Sequence, residues 1–246
     1  MRTHTWLIGV LSCGLLATGG ALAQHSGDIG VGRSAAGVLK YRPFDPNTTP
    51  VFDPAIGVGL FTYFPSLSSY RTDNPGLDGN FAEVPALDYY RLASGASIRL
   101  VAVADLPAPM RVQYQSQVIR FAGEFIALGS ATLHRHAIFI VDATHSQFDP
   151  LRTVWAGTFL LRDVGVTAYA DSAPFTIRIA TVECDSGDVN GDGSVDFDDI
   201  DPFVEALSAP ASVSAQQRCA ADCNRDGYVT FDDIDVFVAL LGGTGD

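Results

Sequence analysis

The chain has 246 residues and a formal net charge of −13, from 28 acidic and 15 basic side chains. This balance argues against nucleic acid or an anionic membrane surface as a partner, because both require clustered lysine and arginine. Residues 24–183 are long enough to form a domain with a single sizeable apolar core.

The first 23 residues have the features of a secretory signal peptide. Arg2 precedes an apolar run over residues 5–23 that ends in an Ala-x-Ala cleavage site at 21–23. We predict cleavage after Ala23 and export by a bacterium, to the medium, the cell surface or the periplasm. An uncleaved anchor is the alternative, although the glycines in the run weigh against it. No later stretch is long and apolar enough to predict a transmembrane segment in the mature chain.

Residues 24–183 form the predicted main domain, here called the β domain, for which the sequence declares no function. Its apolar runs are short and are separated by proline and glycine. In one run Val112, Tyr114 and Val118 alternate with arginine and glutamine, which indicates a strand with one solvent-exposed face. The sequence therefore predicts a mainly β fold, a β-sandwich or jelly roll.

Histidines are the clearest candidates for chemistry in the β domain. His134 and His136 lie two residues apart on a predicted strand, so their side chains share a face, and His145 follows on the next turn. They could bind a transition metal, but histidines that are hydrogen-bonded or exposed without a metal are the more common case.

Three cysteines remain after the predicted cleavage: Cys184, Cys219 and Cys223. Export permits disulfides, and a bridge from Cys184 to either of the other two would tie the C-terminal region together. The spacing leaves both pairings open. Zinc is disfavoured, because Cys-x3-Cys without an adjacent histidine is a poor tetrahedral set.

The C-terminal region carries one twelve-residue pattern twice, at 188–199 and 222–233. Calcium takes six to eight oxygens, and such a loop surrounds the ion when alternate residues point inward. Gly193 and Gly227 hold the sixth place, where the chain turns sharply. We predict two Ca²⁺ ions. The predicted ligands are Asp188, Asn190, Asp192, Ser194, Asp196 and Asp199 in the first loop, and Asp222, Asn224, Asp226, Tyr228, Thr230 and Asp233 in the second.

Each loop leads into an apolar segment with helical spacing, at 200–207 and 234–241, so we predict a helix after each loop. Residues 177–182 indicate a strand, so no helix is expected to enter the first loop. A duplicated loop with an exiting helix resembles the type I dockerin module, whereas a calmodulin-like EF-hand has helices on both sides. The resemblance covers residues 184–246, here called the C-terminal module. The repeated Phe-Asp-Asp-Ile-Asp is also similar to tails of secreted planctomycete proteins.

The dockerin resemblance implies a partner, a cohesin domain on another protein. It places the partner contacts just after the ninth loop place, at Phe197 and Asp198 and at Phe231 and Asp232, and along the exiting helices. These residues differ from the small hydroxyl residues common in cellulosomal dockerins. The module contains 14 acidic side chains against two arginines, so we expect it to be loosely folded without calcium.

Two functions follow from these features. The first is a secreted calcium-binding protein whose module mediates assembly or surface attachment of the β domain, which resembles an uncharacterised family. The alternative is a polysaccharide-active enzyme or carbohydrate-binding protein recruited through its module, since dockerins are often attached to plant-wall hydrolases. Catalytic residues are unknown. Candidate carboxylates are Glu83, Asp88, Glu124 and Asp142, and candidate sugar-stacking aromatics are Tyr63, Phe64, Tyr70, Tyr89 and Tyr90.

Overall fold

The computed structural model describes residues 28–42, 51–52 and 60–242, and the predicted signal peptide lies outside these ranges. Three helices, α1 (Ile200–Ser208), α2 (Ala215–Ala221) and α3 (Ile234–Gly242), lie in the C-terminal part of the described chain. The strands in the described ranges are β1 (Ile29–Arg33), β2 (Leu39–Arg42), β3 (Val51–Phe52), β4 (Thr62–Phe64), β5 (Ser69–Thr72), β6 (Leu77–Asp78), β7 (Ile98–Ala102), β8 (Met110–Tyr114), β9 (Gln117–Ile119), β10 (Phe125–Gly129), β11 (His134–Arg135), β12 (Ile138–Asp142), β13 (Val154–Asp163) and β14 (Phe175–Ala180).

The strands form three sheets, with the orders β11-β6-β1-β2, β10-β7-β13-β14-β3 and β4-β5-β12-β8-β9. Most neighbouring strands are antiparallel, while β1 pairs with β6, and β14 with β3, in parallel. The mainly β fold with a helical C-terminal module, predicted from the sequence, is confirmed.

One apolar core joins the three sheets of the β domain. Phe139 of β12 meets Phe159 of β13 edge to face at 6.5 Å between ring centroids, and Tyr41 of β2 packs on Phe175 of β14 at 4.7 Å. Residues along β13 alternate between buried and partly exposed positions, the pattern of a strand with one face in the core. The sheets are therefore layered around shared aromatic and aliphatic side chains.

The sequence interpretation of one segment needs a correction. The alternation from Val112 to Val118 indicates one strand, but the structure has two, β8 and β9, paired as a hairpin. Gln115 adopts a left-handed conformation with φ 53° and reverses the chain. Val112 pairs with Ile119 and Gln113 pairs with Val118, so Val118 lies on the face opposite to Val112, although the sequence alternation places them on the same face. Periodicity alone therefore misses the reversal.

One carboxylate organises the turn after β13. Asp163 accepts hydrogen bonds from the backbone N–H groups of Ser97, Gly165 and Tyr169 and from the Thr167 hydroxyl. Burial acts to raise the pKa of Asp163, but these hydrogen bonds outweigh it and hold the pKa below its usual range. The ionised carboxylate is therefore part of the folded structure of this turn.

The C-terminal module has its own small core. The predicted helices that follow the two loops are α1 and α3, and their equivalent residues Phe203 and Phe237 stack at 4.1 Å with planes 5° apart. A disulfide joins Cys184 to Cys219, which resolves the two pairings left open by the sequence, and Cys223 is free and buried. Burial raises the pKa of the Cys223 thiol to about 12.

Helix α2 leads into the second loop and was not expected. Its start carries a capping box: Ser214 accepts a hydrogen bond from the backbone of Gln217, and the Gln217 side chain accepts one from the backbone of Ser214. Ser-x-x-Gln before a helix is a recognisable sequence signal. The two loops therefore differ in how the chain enters them.

The C-terminal module packs against the β domain through its second loop. The backbone N–H of Thr153 donates to the carbonyl of Gly227 at 3.2 Å, and the Arg152 guanidinium lies 5.3 Å from the centre of the Tyr228 ring. Beside this contact, Val154 and Cys219 belong to one small buried cluster. Within the described residues, no helix is both long and apolar enough to cross a membrane.

Candidate metal centre

The first loop wraps its backbone around two buried carboxylates. Asp188 Oδ1 accepts hydrogen bonds from the N–H groups of Gly191 and Asp192, and its Oδ2 accepts from Gly193. Asp199, fully buried, accepts from the N–H groups of Asn190 and Asp196. The first and last places of the loop are thus held together by the chain between them.

The second loop repeats this arrangement. Asp222 accepts from the N–H groups of Asp226 and Gly227, and Asp233 accepts from those of Asn224 and Thr230. Asp222 and Asp233 are both fully buried. Equivalent donors reach equivalent oxygens in the two copies, so the duplicated sequence forms a duplicated local structure.

The sixth-place glycines adopt the predicted sharp turn. Gly193 has φ +91° and Gly227 has φ +104°, a region that costs little only for a residue without Cβ. Their surroundings differ, because Gly193 is exposed whereas Gly227 is buried against the β domain.

The ninth-place residues begin the turn that carries the last predicted ligand. Asp196 caps the 3-10 helix Phe197–Asp199 by accepting from the N–H of Asp198, and Thr230 caps Phe231–Asp233 by accepting from the N–H of Asp232. Each 3-10 helix then continues directly into α1 or α3. This rigid connection fixes Asp199 and Asp233 relative to the rest of their loops.

The electrostatics of the second loop favour a bound cation. Burial raises the pKa of the Asp222 carboxyl to about 7, and nearby Asp233 and Asp226 add to this effect. The pKa of Asp233 is also raised, again chiefly by burial. Buried, mutually repelling carboxylates are costly without a positive charge, so these residues fit a hard divalent ion bound by oxygen.

The residues implied as partner contacts lie on the surface. Phe197 and Phe231 are each 79% exposed, and Asp198 and Asp232 beside them are exposed as well. A phenylalanine this exposed contributes little to the module's own core. The equal exposure of the two rings shows that docking on the β domain covers neither of them.

The candidate carboxylates of the β domain are engaged in surface turns and local contacts. Glu83 accepts from the backbone of Arg91, Glu124 from Arg120 and Phe121, and Asp142 from Thr144, while Asp88 accepts from Ala35 and pairs with Lys40. Among the candidate aromatics, Tyr89 is buried in the core, and Tyr70 packs against both Tyr63 and Phe148.

The structure brings two of the three histidines together. The Nε2 atoms of His134 and His136 lie 3.2 Å apart, whereas His145 accepts a hydrogen bond from Gln147 in its own turn. Asp28, which lies just before β1, is close to both of these histidines. Sequence reasoning missed Asp28 as a partner, because more than one hundred positions separate it from His134.

Comparison with known proteins gives one match. The family model of the dockerin type I domain matches residues 186–239. No curated protein and no solved structure matches the chain. Dockerin domains typically bind calcium, indicate assembly with a cohesin-type protein, and occur in proteins that are typically extracellular or on the cell surface. The match agrees with the similar hydrogen bonds of the two loops: the C-terminal module of this chain is dockerin-like.

Proposed function

We propose that this protein is exported and that its calcium-loaded C-terminal module assembles the β domain with a protein partner. The observation that carries the proposal is the duplicated loop with buried carboxylates at its first and last places. In this proposal residues 24–183 are the displayed domain and residues 184–246 the assembly module. The β domain then contributes structure or adhesion at the place where the module attaches it.

Each loop is proposed to bind one Ca²⁺ ion. Side-chain oxygens at places one, three, five and twelve, a backbone carbonyl at place seven and the side chain at place nine supply the ligands. Asp stands at place twelve in both loops, and its shorter side chain can approach the ion because the 3-10 turn brings it inward. The acidic charge of the module then becomes a source of calcium-dependent stability.

Metal content and calorimetry test the ligand assignment. We expect two calcium ions per chain in the wild type. Asp188→Ala and Asp222→Ala should each bind one ion, whereas Asp201→Ala, which removes an exposed acid of α1, should still bind two. Free calcium at about 100 times the dissociation constant should stabilise each site by about 2.7 kcal/mol. Chelation should therefore lower the unfolding temperature, and unchanged calcium content in both loop variants would contradict the assignment.

The proposed partner face consists of Phe197, Phe231 and the acids beside them. Aromatic residues are frequent binding anchors, and two exposed rings at equivalent positions offer two equivalent anchors. The partner is proposed to be a cohesin-like domain. Binding to a panel of purified cohesin domains should require calcium and should weaken at least tenfold in the Phe197→Ala/Phe231→Ala variant. Calcium-independent binding to the β domain alone would overturn this assignment.

A groove favours a carbohydrate role as a second candidate function. It has a volume of about 690 Å³ and is lined by Phe64, Arg71, Asp73 and Asn74, among others. Phe64 is exposed at its edge, and an aromatic ring beside polar side chains can stack on and hydrogen-bond a sugar. Retention on insoluble polysaccharides, lost in Phe64→Ala but kept in Tyr63→Ala, would support it. Equal retention of both variants would contradict it.

A further inference from the structure

Three metal-ligating side chains from distant parts of the chain meet at one edge of the first sheet. Asp28 lies just before β1, His134 lies in β11, and His136 follows β11. One ligand atom from each lies within 4.8 Å of the others. The cluster belongs to the β domain and shares no residue with the calcium loops.

The Nδ1 atom of each histidine faces an oxygen that can accept a hydrogen bond. His136 Nδ1 lies 3.0 Å from the carbonyl oxygen of Asp73, and His134 Nδ1 lies 3.3 Å from Oδ2 of Asp78. A carbonyl or carboxylate beside Nδ1 keeps the proton there, so that Nε2 presents a lone pair. This second partner is what metal-binding histidines almost always have.

The two Nε2 atoms face each other at a distance that suits a shared ion. They lie 3.2 Å apart. Two nitrogen ligands of a tetrahedral zinc ion, each about 2.0–2.1 Å from the metal, lie roughly 3.3 Å apart. A cation between the two lone pairs would therefore need almost no movement of the rings.

Asp28 supplies the negative charge that such an ion requires. Its side chain is buried, at 3% relative exposure, and Oδ1 accepts a hydrogen bond from the N–H of Gly76 at 3.1 Å. Oδ2 has no hydrogen-bond partner in the described part of the chain and lies 3.8 Å from His136 Nε2. A buried carboxylate oxygen without a donor is costly, and a metal ion beside it removes that cost.

The surrounding backbone is shaped to let these groups approach. A Cβ at Gly76 would lie 2.7 Å from Asp28 Oδ1 and 2.6 Å from Cε1 of His136. The pairing of β11 with β6 sets His134 opposite Asp78, another buried acid. Two buried carboxylates and two imidazoles are thus held by strand pairing and by a position that only glycine fits.

We propose that Asp28, His134 and His136 bind one divalent transition-metal ion of the zinc and iron(II) class. The ligand atoms are Asp28 Oδ2 and the two Nε2 atoms, with Asp78 and the Asp73 carbonyl as outer partners. Two histidines and one carboxylate are typical of sites that keep open coordination positions. The histidine side chains are 36% and 24% exposed, which gives a water or a small ligand access from solvent.

The groove described above neighbours the site on the Nδ1 side of His136. The groove of about 690 Å³ is lined by Asp73, whose carbonyl orients His136, and by Ile138, which lies two positions after His136. The groove wall therefore holds His136 through its Nδ1 atom, while the proposed ion lies at Nε2, on the other side of the ring. The competing arrangement has no metal, with the imidazoles sharing a proton and pairing with the two acids.

Cobalt(II) titration of the full-length exported chain in millimolar calcium tests the proposal. Calcium fills the oxygen-rich loops, so added cobalt should report the histidine cluster through its visible absorption. We expect one cobalt ion per chain in the wild type and in His145→Gln, a matched histidine outside the cluster. Asp78→Asn should weaken binding by roughly 10–100-fold, and His134→Gln should weaken it further. Metal analysis of freshly purified protein then distinguishes native zinc from native iron.

Variants that keep the fold make the outcome decisive. Asp28→Asn retains the acceptor for Gly76 but loses the charge, and His134 is partly exposed, so thermal unfolding should show both variants folded. If Asp28→Asn does not fold, His134→Gln decides. Absence of cobalt binding in the wild type, or equal binding in folded His134→Gln, would overturn the proposal in favour of the shared proton.

Discussion

Replacing the sixth-place glycine of each loop by alanine tests how the C-terminal module is docked. Both glycines have positive φ, so each alanine incurs a left-handed backbone cost of roughly 1–2 kcal/mol. A Cβ at Gly193 meets no atom within 4 Å, whereas a Cβ at Gly227 would lie 2.5 Å from the carbonyl oxygen of Val154. Backbone cannot swing away as a flexible side chain can, so Gly227→Ala incurs a further cost of about 1–3 kcal/mol.

Chemical unfolding in saturating calcium measures this difference. Trp155 is the only tryptophan after the predicted cleavage point, is buried, and lies under Arg152 at the docking contact. Its fluorescence should therefore report loss of docking. Gly193→Ala should cost about 1–2 kcal/mol and Gly227→Ala about 2–5 kcal/mol.

Amide exchange separates undocking from general destabilisation. The Thr153 N–H donates to the carbonyl of Gly227, so Gly227→Ala should speed its exchange while Gly193→Ala leaves it unchanged. Equal stability of the two variants together with unchanged Thr153 exchange would refute the docking geometry.

Removing the disulfide by Cys184→Ser/Cys219→Ser should cost about 4 kcal/mol, because the bridge spans 35 residues and restricts the unfolded chain; a loss below about 1 kcal/mol in denaturant unfolding would contradict this. Asp163→Ala should cost about 2–3 kcal/mol through its lost hydrogen bonds. Asp171→Ala, which breaks a solvent-exposed pair with Arg162, should cost under about 1 kcal/mol. The pKa of Asp163 is lower in the folded protein, so its contribution is complete above the unfolded value of about 3.9 and disappears as pH falls through the folded value. Acid unfolding of Asp163→Asn should lack this component, and identical acid profiles would refute the role of the carboxylate.

Local patterns were predictable because neighbouring residues determine them. The paired turns of the two loops, the sixth-place glycine and the exiting helices follow from spacing within twelve to twenty positions. The capping box of α2, Ser214 and Gln217, was equally local and was overlooked. The hairpin at Gln115 was missed for another reason. A residue other than glycine adopts positive φ there, so the sequence contains no glycine that would indicate the turn.

The histidine cluster depends on long-range contacts that the local sequence does not predict. His134 and His136 could be paired from their spacing, but Asp28 and Gly76 reach them only through the pairing of β1, β6 and β11. Nothing in the local sequence around Asp28 specifies that β1 lies parallel to β6 in this sheet. Long-range contacts of this kind depend on how whole sheets pack, which no short window of residues encodes.

The two loops are nearly equal in sequence but unequal in surroundings, and this inequality bears on assembly. The second loop contacts Thr153 and Arg152 of the β domain, while the first loop is exposed at Gly193. Docking nevertheless leaves Phe197 and Phe231 at the same exposure. A partner that recognises either ring would therefore find both available, yet would hold the β domain in two different orientations, because the β domain is fixed to one side of the duplicated module.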